Sequence, residues 1–167
     1  IQNVNTASVI DGTFIGNAAA NGGGAYLTGA TGTVLEDSTF TGNSATNHGG
    51  FFFVGNGGIV NTVLAENNTA TGDYGGAYTQ GTNFIVEDSV FTGNIANDQI
   101  GGLGLINSTN GTVRNNEITN NICGRQGGGL FINSNGATVE NNTITGNEAQ
   151  NANGDGGGIF QSGGATI

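Results

Sequence analysis

Apolar residues in this chain come in short bursts, each fenced by glycine, asparagine, serine or threonine. A helix would need a longer uninterrupted run at 3.6-residue spacing, so bursts of three to five residues rich in Val, Ile, Phe and Thr predict strands. The bursts recur. An apolar residue is followed three positions later by asparagine in six places: Phe14 to Asn17, Phe40 to Asn43, Leu64 to Asn67, Phe91 to Asn94, Ile118 to Asn121 and Ile144 to Asn147, spaced 24 to 27 residues apart. Five residues upstream of each stand Val9, Leu35, Ile59, Val86, Val113 and Val139, and Ile167 begins a further copy. Downstream, after a loop of variable length, each asparagine is followed by a glycine pair and an apolar segment such as GGAYL at 23–27, GGFFF at 49–53 or GGLFI at 128–132.

Three short strands in a window of about 26 residues define one coil of a parallel β-helix. The expected fold is therefore all-β: a single solenoid over residues 1–167 of about six coils, three strands per coil, each strand pairing with its equivalent about 4.8 Å away. Phe14, Phe40, Leu64, Phe91, Ile118 and Ile144 are expected to stack as an inward core ladder, with Val9 and its equivalents forming another. Asn17, Asn43, Asn67, Asn94, Asn121 and Asn147 are expected to stack at a tight corner, because asparagine tolerates left-handed backbone and hydrogen-bonds locally. The glycine pairs suit positive φ or close backbone approach.

Composition narrows the class. Glycine supplies 34 of 167 residues and proline none, without the every-third-residue period of collagen, and charged residues make up only 8%. The net charge is −10, with no lysine and only Arg114 and Arg125 as fixed cations, which argues against nucleic acid or anionic membranes as partners. No apolar run approaches the ~20 residues that span a bilayer. Cys123, the one cysteine, excludes an internal disulfide and reads as a partly buried inert thiol.

The stretches F40-TGNSATNHGG-F51 and FIGNAAANGGGAY at 14–26 resemble the Phe-x-x-Asn and Gly-Gly-Ala-aliphatic repeats of the chlamydial polymorphic outer membrane proteins and related bacterial surface proteins. VENNTITGN at 139–147 is similar to the repeat of pectate-lyase-like β-helices. The resemblance implies a right-handed β-helix in an exported protein, often an adhesin or an autotransporter passenger.

Polysaccharide lyases of this architecture need a cationic base beside a carboxylate cluster, often holding calcium, and hydrolases need converging carboxylates. Here Arg114 is the only cation in a strand-bearing region, and Glu87, Asp88, Glu117 and Glu140 recur at one or two per coil, which makes a solvated acidic stripe. His48 stands alone before its glycine pair and reads as a loop residue. Asp73, Asp98 and Asp155 lie in the variable loops and read as turn formers, with calcium ligation as the alternative; no other cofactor is expected.

Along the glycine-pair strand, placing Ala25, Leu27, Phe51, Phe53, Leu103, Leu105, Leu130 and Ile132 inward buries more apolar area than the opposite phase. Tyr26, Phe52, Tyr78, Phe131 and Phe160 then point outward as a candidate partner surface, or lie under the variable loops. Threonines flanking Phe40 and Ile144 give a broken row, leaving ice binding as a lesser alternative. Four sequons begin at Asn67, Asn107, Asn110 and Asn141. Ile1 aligns with Phe131 and Ile167 with Val139, inside strands and without recognisable caps, so the expectation is a segment of a longer chain or a head-to-tail fibre. The functional expectation is a non-catalytic extracellular or cell-surface solenoid, an adhesive stalk or assembling fibre whose partners are copies or neighbouring segments of itself, a host surface or carbohydrate. A carbohydrate-binding or polysaccharide-degrading β-helix is the alternative.

Overall fold

A computed structural model of the chain describes residues 8–29 and 31–167, all strand, turn and bend, with no helix among them. Ile1 lies outside the described residues. The strands stack in parallel, each pairing with its equivalent one coil away. They form four sheets rather than three faces: one of seven strands and three of six. In the second coil the four strands are Val34–Glu36, Thr39–Thr41, Ser44–Asn47 and Phe51–Val54, and the sheets they belong to are called here the first to fourth. The additional strand follows the asparagine directly. Its inward residues are small, with Ala45, Ala70, Ala96 and Cys123 buried in a column, so it carries no apolar burst in the sequence.

Each corner of the coil is marked by a column of residues with positive φ. Between the first and second sheets the column is Asp11, Asp37, Thr62, Asp88, Asn115 and Asn141. Between the second and third it is Gly16, Gly42, Asn67, Gly93, Asn120 and Gly146. Left-handed backbone costs an ordinary L-residue about 1–2 kcal/mol and costs glycine or asparagine less, which is why these two types fill that corner.

The column just named corrects the register of the third coil. Asn67, expected in the asparagine stack, occupies the left-handed position and is exposed (φ 54°), while Asn68 is wholly buried and takes the ladder position. Leu64 likewise points outward and Ala65 pairs with Phe40 and Phe91, and Val60 rather than Ile59 pairs with Leu35 and Val86. The inward ladder is therefore Phe14, Phe40, Ala65, Phe91, Ile118 and Ile144. Ala65 is small, and the space beside it is taken up from across the core by Phe51, whose ring centroid lies 5.0 Å from Phe40 and 6.4 Å from Phe91.

Phe40, Phe51, Phe53, Phe84 and Phe91 are at most 1% exposed, and burying each such ring removes enough apolar surface to stabilise the fold by about 1.5–3 kcal/mol. The fourth sheet has the predicted phase: Leu27, Phe51, Phe53, Leu103, Leu105, Leu130 and Ile132 are core. Its glycine pairs serve close approach. A Cβ on Gly76 would run into the Gly102 carbonyl and lie 2.9 Å from Asn94 Nδ2.

Candidate functional site

Three groupings of polar or aromatic side chains stand out from the repeat. The first is the asparagine ladder. Asn43 Nδ2 donates to the Phe14 carbonyl (2.9 Å) and to Asn68 Oδ1 (3.0 Å), while its own Oδ1 accepts from the backbone N–H (2.9 Å) and Nδ2 (3.0 Å) of Asn17. Both amide protons and both acceptor lone pairs are used, which is what lets a polar side chain sit fully buried without penalty. The same set repeats through Asn68, Asn94 and Asn121 to Asn147. Every coil is thereby bonded to the next at one corner.

A second polar ladder escaped the sequence reading. Ser38 Oγ accepts from the Gly12 N–H, Ser89 Oγ from the Val63 N–H, Asn116 Oδ1 from the Ser89 N–H and Asn142 Oδ1 from the Asn116 N–H, all at 2.9–3.0 Å. The signal for it is a small polar residue two positions before the core residue, as in Ser38–Phe40, Ser89–Phe91, Asn116–Ile118 and Asn142–Ile144.

The charged candidates do not converge. Arg114 donates from Nε to Glu87 Oε2 at 2.7 Å and faces Glu87 and Glu140 in neighbouring strands, so the cation is held by a carboxylate of the preceding coil and its charged form is favoured further. Asp88 takes up a left-handed corner. Asp73 Oδ1 accepts from the Gln99 N–H (3.1 Å), Asp98 pairs with Arg125 (3.2 Å), and Asp155 Oδ2 accepts from Gln126 Nε2 (3.2 Å). Asp73 and Asp155 occupy one column with Gln99 and Gln126 between them, three coil steps or about 14 Å apart. Desolvation raises the Asp73 carboxyl above its usual range, with Asp98 adding to the rise. Among the described residues no three His, Cys, Asp or Glu side chains gather at one place.

The aromatic candidates do come together, though not as an open row. Tyr26, Phe52 and Tyr78 stack face to face along the solenoid, with centroids 4.5 and 4.8 Å apart. Phe131 and Phe160 continue the column beyond Gly104, whose missing side chain is replaced by Ile100 and Ile106. Tyr78 and Phe131 are only 8% and 7% exposed, and Ile100 is fully covered. The stack is a second, outer hydrophobic core built against the back of the fourth sheet.

What covers it is the corner before the glycine pair. That column of positive φ reads Gly22, His48, Tyr74, Ile100, Gly127 and Gly156. In the three middle coils glycine is replaced by large side chains that fold over the rings: His48 stacks on Tyr74 at 4.9 Å and meets Phe52 and Tyr78 edge-on at 4.5 and 5.3 Å. Burial among the rings lowers the His48 pKa to about 4, against an opposing contact from the Asn47 backbone, and raises the Tyr74 hydroxyl to about 12. His48 is thus a packing element of this outer core. Burial raises the Cys123 thiol as well, in keeping with an inert side chain in the small-residue column.

No helix among the described residues is long and apolar enough to cross a membrane. No curated protein and no solved structure matches this chain. The model of the right-handed β-helix region, by contrast, matches residues 1–167, and with the parallel ladders and stacked coils described above the chain belongs to that family.

Proposed function

We propose that this β-helix is a non-catalytic structural segment of an extracellular or cell-surface protein, holding an elongated shape and presenting its faces to copies of itself or to a surface. The observation that carries the reading is the condition of Arg114: the one strand-borne cation is tied to Glu87 of the coil below, so the group a lyase would use as its base already has a partner within the stack. The carboxylates are distributed along the axis by the same repeat that stacks the coils. The resemblance of the Phe-x-x-Asn and Gly-Gly repeats to those of bacterial surface proteins supports the location.

Incubation with acidic and neutral polysaccharides, with and without calcium, tests the reading. The expected result is no release of reducing ends above a protein-free control. Turnover by the parent protein that disappears in Arg114→Ala would overturn it. For assembly into fibres, electron microscopy at rising protein concentration is the check, and uniformly monomeric particles would count against it.

A further inference from the structure

The outward faces of the first and second sheets meet at the corner column that contains Asp37, Thr62 and Asp88, and in the second to fourth coils both faces carry aliphatic side chains. On the first sheet Val34, Ile59 and Ile85 stack in one half-buried outward row, which runs out into Ser8 on one side and Thr112 on the other. On the second sheet Leu64 and Val90 stack in the same way between Thr39 and Glu117. Threonine meets the preference of an outward strand position without exposing as much hydrocarbon, as Thr39, Thr112, Thr138 and Thr143 do in the same two rows. The aliphatic residues of the middle coils therefore form a patch that the strands themselves do not require.

Between the two rows runs a ridge of carboxylates. Glu36 and Asp37 stand in the second coil and Glu87 and Asp88 in the fourth, with Asn61 and Thr62 between them. Asn61 Nδ2 donates to Glu36 Oε1 (3.0 Å) and Arg114 holds Glu87, so like charges are kept apart along the ridge. The Asp37 and Asp88 carboxylates, exposed at the corner, have no hydrogen bond or ion pair among the described residues. The two acidic pairs lie two coil steps, or about 10 Å, apart.

We propose that this corner docks a basic amphipathic helix of a partner protein, lying along the solenoid axis with lysine or arginine over the carboxylates and aliphatic side chains against the two rows. Charge selects the sign of the partner. Covering Asp37 and Asp88 with a neutral or acidic chain would desolvate two carboxylates without a counter-charge, whereas a cation gains what the ridge lacks. A second copy of this chain brings the same four carboxylates to the contact and no helix among its described residues. A metal ion cannot bridge the two acidic pairs, because calcium needs its oxygens at about 2.3–2.6 Å. Spacing selects the shape. Seven residues of helix rise about 10.5 Å and return to the same face, which matches the distance between the pairs. Same-face residues of an extended strand recur at about 6.8 and 13.6 Å, on either side of it. The proposal goes beyond the scaffold reading, which fails on polysaccharide cleavage, whereas this one fails on peptide binding.

The probe is a labelled helical peptide of about 21 residues with lysine at every seventh position and leucine three and four positions after each, titrated by fluorescence anisotropy. Three companions carry serine for leucine, glutamate for lysine, or the same residues permuted so that the lysines no longer share a face. The parent peptide should bind at least roughly tenfold more tightly than each companion. Asp37→Asn with Asp88→Asn keeps a side chain that tolerates the left-handed corner, and should weaken binding by roughly tenfold and reduce its salt dependence. Ile59→Thr with Ile85→Thr keeps β-branched residues in the row and should weaken it by a similar factor with the salt dependence retained. Glu148→Gln with Asp155→Asn, which removes the same charge away from this corner, should leave binding unchanged. Retained circular dichroism and melting temperature identify the folded variants to be compared. The proposal is overturned if the lysine–leucine peptide does not bind at about millimolar concentration, if any companion binds as well, or if the distant charge pair matters as much as Asp37 and Asp88.

Discussion

The inside and the outside of the fourth sheet are packed on different logic. Inside, each coil contributes an equivalent residue to an equivalent place, and the asparagine ladder runs unbroken from Asn17 to Asn147. Outside, the repeat is broken on purpose in three coils, where His48, Tyr74 and Ile100 stand at a left-handed position that Gly22, Gly127 and Gly156 fill elsewhere. Translational repetition is enough to bury a core between sheets. Covering the back of a sheet requires departures from the repeat, and here the departures carry backbone strain of about 1–2 kcal/mol each, offset by the rings they cover.

The inner ladder should be the more sensitive. Asn94→Leu removes the acceptor used by the Asn68 N–H and Nδ2 and both donors of its own amide, leaving buried polar groups in two coils without partners. A loss of about 3–5 kcal/mol is expected in urea denaturation. Asn67→Gly is the paired control: it places glycine where Gly16, Gly42, Gly93 and Gly146 already stand, and its stability should match the parent within about 0.5 kcal/mol. A large loss at position 67 would restore the register that the sequence alone suggests.

That pair of neighbours also marks how far the sequence could be read. The coil, its parallel stacking and five of six rungs in each ladder follow from spacing, because in those coils a single large apolar residue has an asparagine three positions on, Ile118 selecting Asn121 over Asn120. In the third coil the Leu64–Ala65 and Asn67–Asn68 pairs offer two choices, and local hydrophobicity picks the wrong one. The right one depends on Phe51 filling the core beside Ala65 and on Gly-like backbone at Asn67, neither of which is a property of the third coil's own strand. The third sheet was hidden because it packs alanine and cysteine. The outer core was legible only as an alternation; that Ile106 and Ile100 would fill the gap at Gly104 needed the fold.

In the outer core, Tyr78→Ala removes a ring stacked on Phe52 and covered by His48 and Tyr74. The expected cost is about 2–3 kcal/mol, smaller than for an inner phenylalanine because His48 and Tyr74 can settle into the space. Phe91→Ala is the comparison, and an equal or larger loss at Tyr78 would mean that the two cores are not ranked as described.

Acid should separate the two cores further. His48 is neutral in the fold down to about pH 4, whereas in the unfolded chain it protonates near its ordinary value of 6.5. The unfolded state therefore binds the extra proton first, so stability is constant above pH 6.5, declines between there and pH 4, and levels off below. The loss should be about 1–2 kcal/mol, less than the full linkage value because the imidazole keeps contact with solvent. His48→Gln should flatten this part of the profile, and an unchanged pH dependence would remove His48 from the outer core.

The smallest effect is the most diagnostic of strain. Ile100 is fully buried but holds φ at 61°, a conformation that a β-branched residue adopts only under constraint. Truncation to alanine removes the contacts with Phe131 and Ile106 and keeps the left-handed penalty, whereas truncation to glycine removes the same contacts and the penalty together. Elsewhere in a strand-rich chain glycine is the more destabilising of the two by roughly 0.5–1 kcal/mol. At position 100 the order should invert, with Ile100→Gly more stable than Ile100→Ala by about 1 kcal/mol. The alternative order would mean that this corner is not held against its preference, and that the break in the repeat costs the fold nothing.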